Sequence, residues 1–348
     1  MTAVVTGGGG FAMANFVRRW LEADPRETAI VVDAAALDDA AVRFSAPVRD
    51  RIEFIQADIS LADSWRRLLS RVDYVVHGAA VTPHAYTDAA GIHHDPEREK
   101  PLHVLNVNFM GTAQALDWAR GVDGLKRFIY VSTGSVYAES VPAQESDPFP
   151  LPEDGYIGPH LLYDLSKYGG ELITQRFAVL YGLPAVTVRL SSVFGPMDRQ
   201  TPERNVRNLA NIVAHAAVAG RPLRATSADV VGDYIYAPDA ADALCRLLKA
   251  PAANLRHDLY NIAYGAPTTL RELVAYARGT APGLSLEIAG GEAADITDDV
   301  SRRTGRWGAY DISRARQDFG WKPRPLGEAM QDYLGWLRDN ENGGISRV

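Results

Sequence analysis

A run of four glycines near the start of the chain constrains the fold more than any other feature. The run, Gly7 to Gly10, separates an apolar stretch at residues 3–5 from an amphipathic stretch at residues 11–23. Glycines allow a sharp turn and a close approach of the backbone to a ligand, and the first turn of a helix offers N–H donors to an anion. A strand, a glycine turn and a helix in this order predict a site for the pyrophosphate of a dinucleotide. A flexible loop is the alternative, but it would not require the flanking strand and helix.

Stretches rich in β-branched residues alternate with helical patterns through the first two-thirds of the chain. We predict strands at residues 3–5, 29–32, 51–56, 73–76, 126–132 and 185–190. We predict helices at residues 11–23, 61–70, 104–120 and 161–181. This alternation is typical of a parallel sheet with helices on both faces, so we expect an α/β fold with a doubly wound parallel sheet, the Rossmann fold.

The pattern becomes less regular after residue 190. We predict a dinucleotide-binding domain from residues 1–190 together with about 232–260, and a smaller, discontinuous substrate-binding lobe from about 191–231 and 261–335. In this part we predict a strand at residues 233–236 and helices at 205–219, 239–248 and 268–278. Residues 340–348 are polar and rich in glycine, and we expect them to be frayed. Residues 82–100 are long for a connection, which predicts a loop that covers the substrate.

Two aspartates follow predicted strands on the dinucleotide side of the sheet. Asp33 ends the second strand, where a carboxylate accepts hydrogen bonds from the adenosine ribose and repels a 2′-phosphate. Asp33 therefore predicts NAD rather than NADP as the cofactor, although capping of the next segment is an alternative role. Asp58 ends the third strand and is a candidate contact to the adenine amino group; a turn-forming role is the alternative.

A tyrosine and a lysine four residues apart are the candidate catalytic pair. Tyr163 and Lys167 share one face of a predicted helix, where an ammonium group would favour the phenolate and lower the pKa of the tyrosine. Such a tyrosine can exchange a proton with a substrate hydroxyl while a hydride moves to or from nicotinamide. A surface pair is the alternative. The hydroxyl of Thr133, at the end of the fifth strand, could bind the reacting oxygen, with Ser132 and Ser135 as the other candidates.

Composition excludes several other classes of protein. The 348 residues carry a formal net charge of −7, so the basic surface of a nucleic-acid-binding protein is absent. Cys245 is the only cysteine, which excludes an intramolecular disulfide and fits a reducing compartment. The sequence shows neither the pattern of a signal peptide nor an apolar run that predicts a membrane span, and we expect a cytoplasmic protein.

The ordered motifs resemble those of the extended short-chain dehydrogenases/reductases, specifically the NAD-dependent epimerase/dehydratase family. The resemblance covers nearly the whole chain, from about residue 4 to residue 323. Its motifs are Thr6-Gly7 with Gly10, Asp33, Asp58, His77-Gly78-Ala79-Ala80, Asn108, Ser132-Thr133, Tyr163 with Lys167, Arg189 with Phe194-Gly195-Pro196, and Asp233-Tyr234-Ile235-Tyr236. Together they are specific for the family but not for one substrate.

The resemblance implies a role for each matching residue. Gly7 and Gly10 would contact the pyrophosphate, Asp33 would bind the ribose, and Ala79 and Ala80 would line the cofactor. Lys167 would reach the nicotinamide ribose, and Thr133 stands where the family keeps its catalytic Ser or Thr. Asn108 would hold a structural and proton-relay position on the cofactor side. The predicted cofactor contacts also include the neighbours of two motif residues, Phe11 and Ile59.

This chain departs from the family pattern in three places. Met13 stands where the family usually has a third glycine, so its side chain must be accommodated between helix and sheet. Gly134 and Ser135 replace the Asp-Glu pair that the family's dehydratases use for the loss of water, which makes dehydration the less favoured reaction. Gly232 replaces the arginine that usually binds the diphosphate of a nucleotide sugar.

Two charged clusters need separate consideration. Neighbouring histidines at positions 93 and 94, with Asp95 and Glu97 nearby, do not complete a ligand set, and we predict no metal site. Arg302, Arg303 and Arg306 form a basic cluster, and Arg303 is the candidate contact to an acidic substrate. A solvated run of charge is the alternative for these arginines.

These observations predict an NAD-dependent oxidoreductase that acts on a secondary alcohol of a sugar or sugar-acid-like substrate. A dehydrogenase on a small substrate is our first expectation, and a nucleotide-sugar 4-epimerase with a transient ketone is the alternative. A non-catalytic NAD-sensing protein is a further alternative, which the intact pair Tyr163 and Lys167 disfavours. We also expect a homodimer formed by the helices at residues 104–120 and 161–181.

Overall fold

The computed structural model describes residues 1–66, 72–83, 86–87, 93–137, 150–201, 203–204, 207–290, 294–297 and 309–341. Seven parallel strands form the central sheet: β1 (Thr2–Thr6), β2 (Thr28–Asp33), β3 (Ile52–Gln56), β4 (Tyr74–His77), β7 (Arg127–Thr133), β8 (Ala185–Leu190) and β13 (Leu259–Ile262). Their order across the sheet is β13-β8-β7-β4-β1-β2-β3. The strand order reverses direction between β1 and β4, where Thr6 pairs with His77. Ligands bind at this position in doubly wound folds.

The other strands in the described ranges form small two-stranded units. They are β5 (Tyr86–Thr87), β6 (His93–His94), β9 (Ser192–Phe194), β10 (Leu223–Ala225), β11 (Val231–Gly232), β12 (Tyr234–Tyr236), β14 (Thr268–Thr269) and β15 (Leu286–Ile288). Strand β9 pairs in parallel with β12 directly beyond the end of the central sheet. The chain that continues from β8 therefore crosses from the large sheet towards the second part of the molecule.

Helices cover both faces of the sheet and build most of the second part. They are α1 (Phe11–Ala23), α2 (Asp39–Ser45), α3 (Pro96–Glu99), α4 (Pro101–Leu105), α5 (Gly111–Ala119), α6 (Leu162–Tyr181), α7 (Leu209–Val218), α8 (Ala237–Lys249), α9 (Leu270–Ala277), α10 (Ser313–Phe319) and α11 (Leu326–Glu341). A π-helical turn at Asn106–Met110 joins α4 to α5. No helix within the described part of the chain has the length and apolar character needed to cross a membrane.

The prediction of a doubly wound α/β fold is confirmed. All six predicted strands of the sheet are present, and α1 has the predicted bounds. The helix predicted at residues 61–70 is wrong in its described part, because only a 3-10 turn at Ala62–Ser64 forms there and residues 67–70 lie outside the described residues. The seventh strand, β13, and the helices α10 and α11 were not predicted.

Burial explains why the strands read as continuous apolar runs. Val4 and Val5 on β1 are both fully buried, because helices cover both faces of the sheet. Helix α1 buries Phe16, Val17 and Trp20 on the same side as α8. A second apolar cluster joins α7, α9 and α11. The division into a dinucleotide-binding domain and a substrate lobe stays a prediction.

Two segments singled out in the sequence are only partly described. In the predicted covering loop, residues 84–85 and 88–92 lie outside the described residues, and the rest contains β5, β6 and α3. The carboxylate of Glu97, on α3, accepts a hydrogen bond from the backbone N–H of Leu162 at 2.5 Å. Helix α11 extends through Asn340 and Glu341, and residues 342–348 of the predicted tail lie outside the described residues.

Candidate active site

A large cleft opens at the carboxyl ends of β1, β4 and β7. Its volume is about 980 Å³, at the upper end of the range for small-molecule and cofactor sites. The lining residues include the following predicted site residues: Gly7, Gly10, Phe11, Asp33, Asp58, Ile59, Ala79, Ala80, Thr133, Ser135, Tyr163 and Lys167. The fold therefore brings together residues that are up to 160 positions apart in the chain.

The glycine turn lies at the floor of the cleft. Gly7 has a φ of +71°, and a Cβ atom there would lie 2.8 Å from the Cα of Ala79. Its N–H donates to the carbonyl of Val32 at 2.8 Å, and the N–H of Gly10 donates to the carbonyl of Gly7 at 3.0 Å. Helix α1 begins directly after Gly10, so its first N–H groups and its dipole are available to an anion.

Gly78 provides the space for Met13, which replaces the third glycine of the turn. A Cβ atom at Gly78 would lie 2.4 Å from the Sδ of Met13. Met13 is buried and packs with the core between α1 and the sheet. The Met13 side chain therefore occupies the space that the missing Cβ of Gly78 leaves between α1 and the sheet.

Asp33 lies beside the glycine turn, at the end of β2. Its Oδ2 accepts the N–H of Gly9 at 3.0 Å, and its Oδ1 accepts the N–H of Ala35 at 3.1 Å. Burial raises the pKa of Asp33, while the two N–H groups and the positive charge of Arg199 act in the opposite direction. The carboxylate is anchored in place at the cleft wall, and its remaining lone pairs can accept ribose hydroxyls.

Asp58 also lines the cleft, but its carboxylate makes local contacts. Oδ1 accepts the backbone N–H of Ser60 at 2.9 Å and the hydroxyl of the same residue at 2.8 Å. The turn-forming role considered from the sequence is therefore present. A contact of Asp58 to adenine stays a prediction, as does one of Ile59, which is 4% exposed.

Tyr163 and Thr133 lie side by side at the other end of the cleft. Burial raises the pKa of Tyr163 to about 12, and a hydrogen bond with Thr133 acts in the opposite direction but has the smaller effect. The sequence-based expectation of a pKa lowered towards neutrality by Lys167 is therefore wrong for the protein groups alone. The charge of Arg204 also lowers this pKa, whereas the neighbouring Asp164 raises it.

Lys167 is buried beneath Tyr163 on α6. Its Nζ lies 4.6 Å from the centre of the Tyr130 ring, and its side chain is 2% exposed. Burial lowers the pKa of Lys167 to about 7, and the nearby Glu171 acts in the opposite direction. The aromatic face of Tyr130 and the carboxylate of Glu171 both favour the charged form of Lys167, which lines the cleft.

A buried ion pair joins α6 to strand β8. Nη2 of Arg189, on β8, lies 2.6 Å from Oε2 of Glu171, and both side chains are almost fully buried. Oε1 of Glu171 accepts the hydroxyl of Ser132 at 2.5 Å. Ser132, a candidate for the reacting-oxygen contact, is thus committed to Glu171. The sequence analysis did not identify Glu171, although it stands four positions after Lys167 on the same helical face.

Asn108 does not line the cleft, which corrects its prediction as a cofactor contact. It is fully buried, its Oδ1 accepts the N–H of Val81 at 2.8 Å, and its Nδ2 donates to the carbonyl of Val81 at 3.0 Å. Nδ2 also lies 3.1 Å from the hydroxyl of Ser166 on α6. Asn108 instead joins α6 to the backbone that follows β4 through these hydrogen bonds.

His77 lies near Asn108 and is also satisfied inside the protein. Its Nδ1 lies 2.7 Å from the hydroxyl oxygen of Thr6, and its Nε2 lies 3.0 Å from that of Thr112. Burial lowers the pKa of His77 to about 3, with a smaller contribution from the charge of Lys167. His77 therefore stays neutral and joins β1, β4 and α5 beneath the cleft.

The other two departures from the family pattern are filled by tyrosines. A Cβ atom at Gly134 would lie 2.5 Å from the hydroxyl of Tyr310, and one at Gly232 would lie 2.5 Å from the hydroxyl of Tyr234. Both tyrosines line the cleft. The tyrosine side chains thus occupy the space into which side chains at positions 134 and 232 would extend. Ser135, the predicted substrate contact, donates its N–H to the Thr133 hydroxyl at 3.2 Å.

Three arginines that sequence reasoning missed line the cleft from the chain between β9 and α7. They are Arg199, Arg204 and Arg207. Nη1 of Arg204 lies 2.7 Å from Oδ1 of the buried Asp198, whose pKa burial raises to about 6 against the opposing charge of Arg204. The density of arginines in residues 199–207 was a visible signal, but nothing in the sequence showed that they face the cleft.

The predicted substrate contact Arg303, with Arg302 and Arg306, lies outside the described residues. Within the described ranges, no group of three or more His, Cys, Asp or Glu side chains is placed to hold a metal ion. The described site instead fits a dinucleotide. Gly7 leaves no room for a Cβ, the first N–H groups of α1 are available to an anion, and Asp33 is fixed beside the glycine turn by the N–H of Gly9.

Comparisons with known proteins agree with this geometry. A dTDP-glucose 4,6-dehydratase of Streptomyces antibioticus is 28% identical over 354 residues, covering 98% of this chain and 93% of the relative. A UDP-glucose 4-epimerase of Thermotoga maritima, solved with UDP-glucose, has a TM-score of 0.76 at 22% identity and covers 98% of this chain and 100% of its own.

A third comparison includes the cofactor. A UDP-glucuronic acid 4-epimerase of Bacillus cereus, solved with UDP-glucuronic acid and NAD, has a TM-score of 0.74 at 19% identity and covers 97% of this chain and 99% of its own. The pattern that defines the NAD dependent epimerase/dehydratase family matches residues 3–263. The fold, the cleft and this match together show that the chain is a NAD-dependent member of the NAD dependent epimerase/dehydratase family.

Proposed function

We propose that the protein moves a hydride between NAD and a secondary alcohol of a sugar or sugar-acid-like substrate. The observation that carries the proposal is the position of Tyr163 and Thr133 at one end of a cleft whose other end holds Asp33. This separation assigns the adenosine of NAD to the Asp33 end and the reacting groups to the Tyr163 end.

Tyr163 is the proton carrier in this proposal. Thr133 binds the substrate oxygen, and Tyr163 takes the hydroxyl proton as the carbon–hydrogen bond breaks. When bound, oxidised NAD would accept the hydride. Burial raises the pKa of Tyr163 to about 12, and the hydrogen bond with Thr133 acts in the opposite direction. Lys167, one turn further along α6, lines the same cleft and would hold the nicotinamide ribose.

An epimerase that returns the hydride to its own ketone is the outcome we favour. Arg204 and Arg207 line the cleft and offer two positive charges to an anionic substrate group. The relatives named above act on or bind nucleotide sugars, whose diphosphate is such a group. These arginines can thus replace the contact that is missing at Gly232.

A dehydrogenase that acts on a smaller, acidic sugar is the second candidate. The space beside Gly232 favours this candidate, because the Tyr234 side chain occupies the place where the family usually has the arginine that binds the diphosphate. In this reaction the ketone and NADH are both released. A non-catalytic NAD sensor is disfavoured, since it does not require Thr133, Tyr163 and Lys167 in one cleft.

Dehydration remains the less favoured reaction. Neither Gly134 nor Ser135 carries a carboxyl group, and Tyr310 fills the space beside Gly134. Asp164 does line the cleft, and burial raises its pKa to about 6. Because relatives include dehydratases, release of water has to be measured together with the other products.

Calorimetry with UDP, dTDP and GDP on the NAD-loaded protein tests the substrate class. Micromolar binding of one nucleotide, weakened in Arg204→Gln, is the expected result for the epimerase. Arg224→Gln is the matched control, because Arg224 pairs with Glu287 on the surface of the second part. No binding of any of the three nucleotides overturns the epimerase and favours the small-substrate dehydrogenase.

The absorbance of NADH during turnover distinguishes the two outcomes. An epimerase accumulates at most one NADH per enzyme, whereas a dehydrogenase produces NADH in proportion to the substrate consumed. Each candidate sugar is therefore incubated with excess NAD, and both NADH and the sugar product are quantified.

A further inference from the structure

Part of the chain after β9 crosses the mouth of the cleft and contacts both of its ends. We call residues 197–201 and 203–204 the strap. Four residues of the strap line the cleft: Arg199, Thr201, Glu203 and Arg204. The strap belongs to none of the motifs on which the family resemblance rests.

The base of the strap is fixed in the core beside the glycine turn. The side chain of Asn15, on α1, donates to the carbonyl of Pro196 at 2.8 Å in a buried position. Met197 has a φ of +69° and is 2% exposed, packed in a cluster with Phe11 and Phe44. A non-glycine residue adopts this backbone conformation only where the surrounding packing compensates for its strain. These buried contacts therefore fix the position of the strap where it begins, next to α1.

Arg199 joins the strap to the adenosine end. Its Nε donates to Oδ2 of Asp38 at 2.8 Å, and its Nη2 lies 3.4 Å from the carbonyl oxygen of Gly9. The charge of Arg199 also acts on Asp33, whose carboxylate accepts the N–H of Gly9. The guanidinium thus lies above the corner where the adenosine ribose is expected.

The other end of the strap lies near the reacting groups. The carbonyl of Glu203 accepts the N–H of Thr82 at 2.9 Å, and its Oε2 lies 3.0 Å from Nε2 of His103 on α4. The guanidinium of Arg204 lies 4.9 Å from the centre of the Phe11 ring, at the start of α1. The strap therefore spans the cleft from the adenosine corner to the pyrophosphate turn and the nicotinamide side.

We propose that Arg199 is a cofactor-binding residue: its guanidinium contacts the bound cofactor at the adenosine end of the cleft and slows its release. This proposal requires that NAD binds in the cleft, but it does not depend on which reaction the enzyme carries out.

The Arg199–Asp38 contact gives the proposal a sharp test. This ion pair contributes little by itself, because Asp38 is 49% exposed and is solvated when the two groups separate. If Arg199 acts on the cofactor, then Asp38→Asn leaves NAD binding unchanged or tighter, since the guanidinium is freed. If Arg199 only pairs with Asp38, both variants loosen the strap equally. Asn can still cap α2, the other role of Asp38.

The experiment measures the release of NADH from the full-length protein. Fluorescence of bound NADH is followed after a chase with excess NAD for the wild type, Arg199→Gln, Asp38→Asn and the surface control Arg224→Gln. We expect release from Arg199→Gln to be roughly tenfold faster, the loss of one charge-assisted hydrogen bond. Release from Asp38→Asn and Arg224→Gln should stay within about twofold of the wild type.

Four outcomes overturn the proposal. They are an unchanged rate in Arg199→Gln, an equal acceleration in Asp38→Asn, an equal acceleration in Arg224→Gln, and a release rate in Arg199→Lys that equals the rate in Arg199→Gln. Thermal melts of the cofactor-free variants show whether folding is preserved. Arg199→Lys, which keeps the charge, should recover part of the slow release. NADH release can also be measured in Tyr163→Phe, so failure of the proposed chemistry is distinguished from failure of the strap.

Discussion

Met13 on α1 and Gly78 after β4 are a complementary pair: a Cβ atom on Gly78 would lie 2.4 Å from the Sδ of Met13. One position is large and the other has no side chain, at the point where the glycine turn packs on the sheet. The pair determines how closely α1 approaches the strand that lines the cofactor cleft.

We therefore expect the two positions to be coupled. Gly78→Ala should destabilise the protein by about 1–3 kcal/mol, because a methyl group overpacks the site. In Met13→Ala the added methyl group should be tolerated, so the double variant should lose less stability than the sum of the two single variants. Urea unfolding of the four proteins measures this coupling, and strictly additive effects would contradict it.

Tyr163→Phe should lose turnover by about 10²- to 10⁴-fold and keep NAD binding, because only the proton-carrying oxygen is removed. Tyr168→Phe on the same helix is the matched control, since Tyr168 does not line the cleft. The measurements are kcat with the best substrate and the dissociation constant of NAD. More than half of the wild-type activity in Tyr163→Phe would rule out the mechanism.

Asp33→Ser should weaken NAD binding by roughly tenfold to a hundredfold, because a charge-assisted contact to the ribose is lost. The same change should strengthen NADP binding, since the repulsion of the 2′-phosphate is removed while the charge of Arg199 remains nearby.

The double variant Asp33→Ser/Arg199→Gln should lose most of this gain in NADP binding. Side-by-side titrations of NAD and NADP on the three proteins provide the measurement. A wild type that already prefers NADP would show that the role assigned to Asp33 is wrong.

His77 should make the protein less stable in acid. Its pKa in the folded protein is lowered to about 3, below the ordinary value of 6.5, so its contribution to stability is complete above pH 6.5 and is lost as the pH falls towards 3. Between pH 6 and pH 4 the free energy of unfolding should fall by about 1.4 kcal/mol per pH unit from this group.

His77→Gln should lack this contribution, because an amide can bond to Thr6 and Thr112 but does not titrate. Denaturant unfolding at several pH values gives the slope for each protein. Equal slopes for the wild type and the variant would contradict the assignment.

We expect a homodimer, which the sequence predicted from the helices at residues 104–120 and 161–181, to form through exposed apolar residues of α4, the π-helical turn and α6. Leu102, Met110, Leu165 and Leu172 are 70%, 44%, 47% and 49% exposed. We expect Leu165→Glu/Leu172→Glu to shift the protein to monomers in sedimentation experiments, because a charge on each subunit would be buried. Ile288→Glu, at another exposed apolar position, should leave the assembly unchanged. A wild-type monomer would disprove this prediction.

The sequence by itself determined the features that depend on neighbours along the chain. The glycine turn, the helix that follows it and the four-residue spacing of Tyr163 and Lys167 are local, so their geometry follows from backbone freedom and helical periodicity. The order of strands and helices was enough to predict six of the seven strands of the sheet. Asp33 was identified for the same reason, because it directly ends a predicted strand.

Tertiary structure decided the contacts between distant segments. Arg199 reaches Gly9 across 190 residues, and its side chain faces the cleft only because β9 leaves the sheet beside the glycine turn. Asn108 matched a motif, but burial made it a link between α6 and the backbone after β4 rather than a cofactor contact. The pKa of Tyr163 depends on desolvation by the packed protein, which outweighs the effect of any single neighbour along the helix. Packing and burial are properties of the assembled core, and sequence spacing does not contain them.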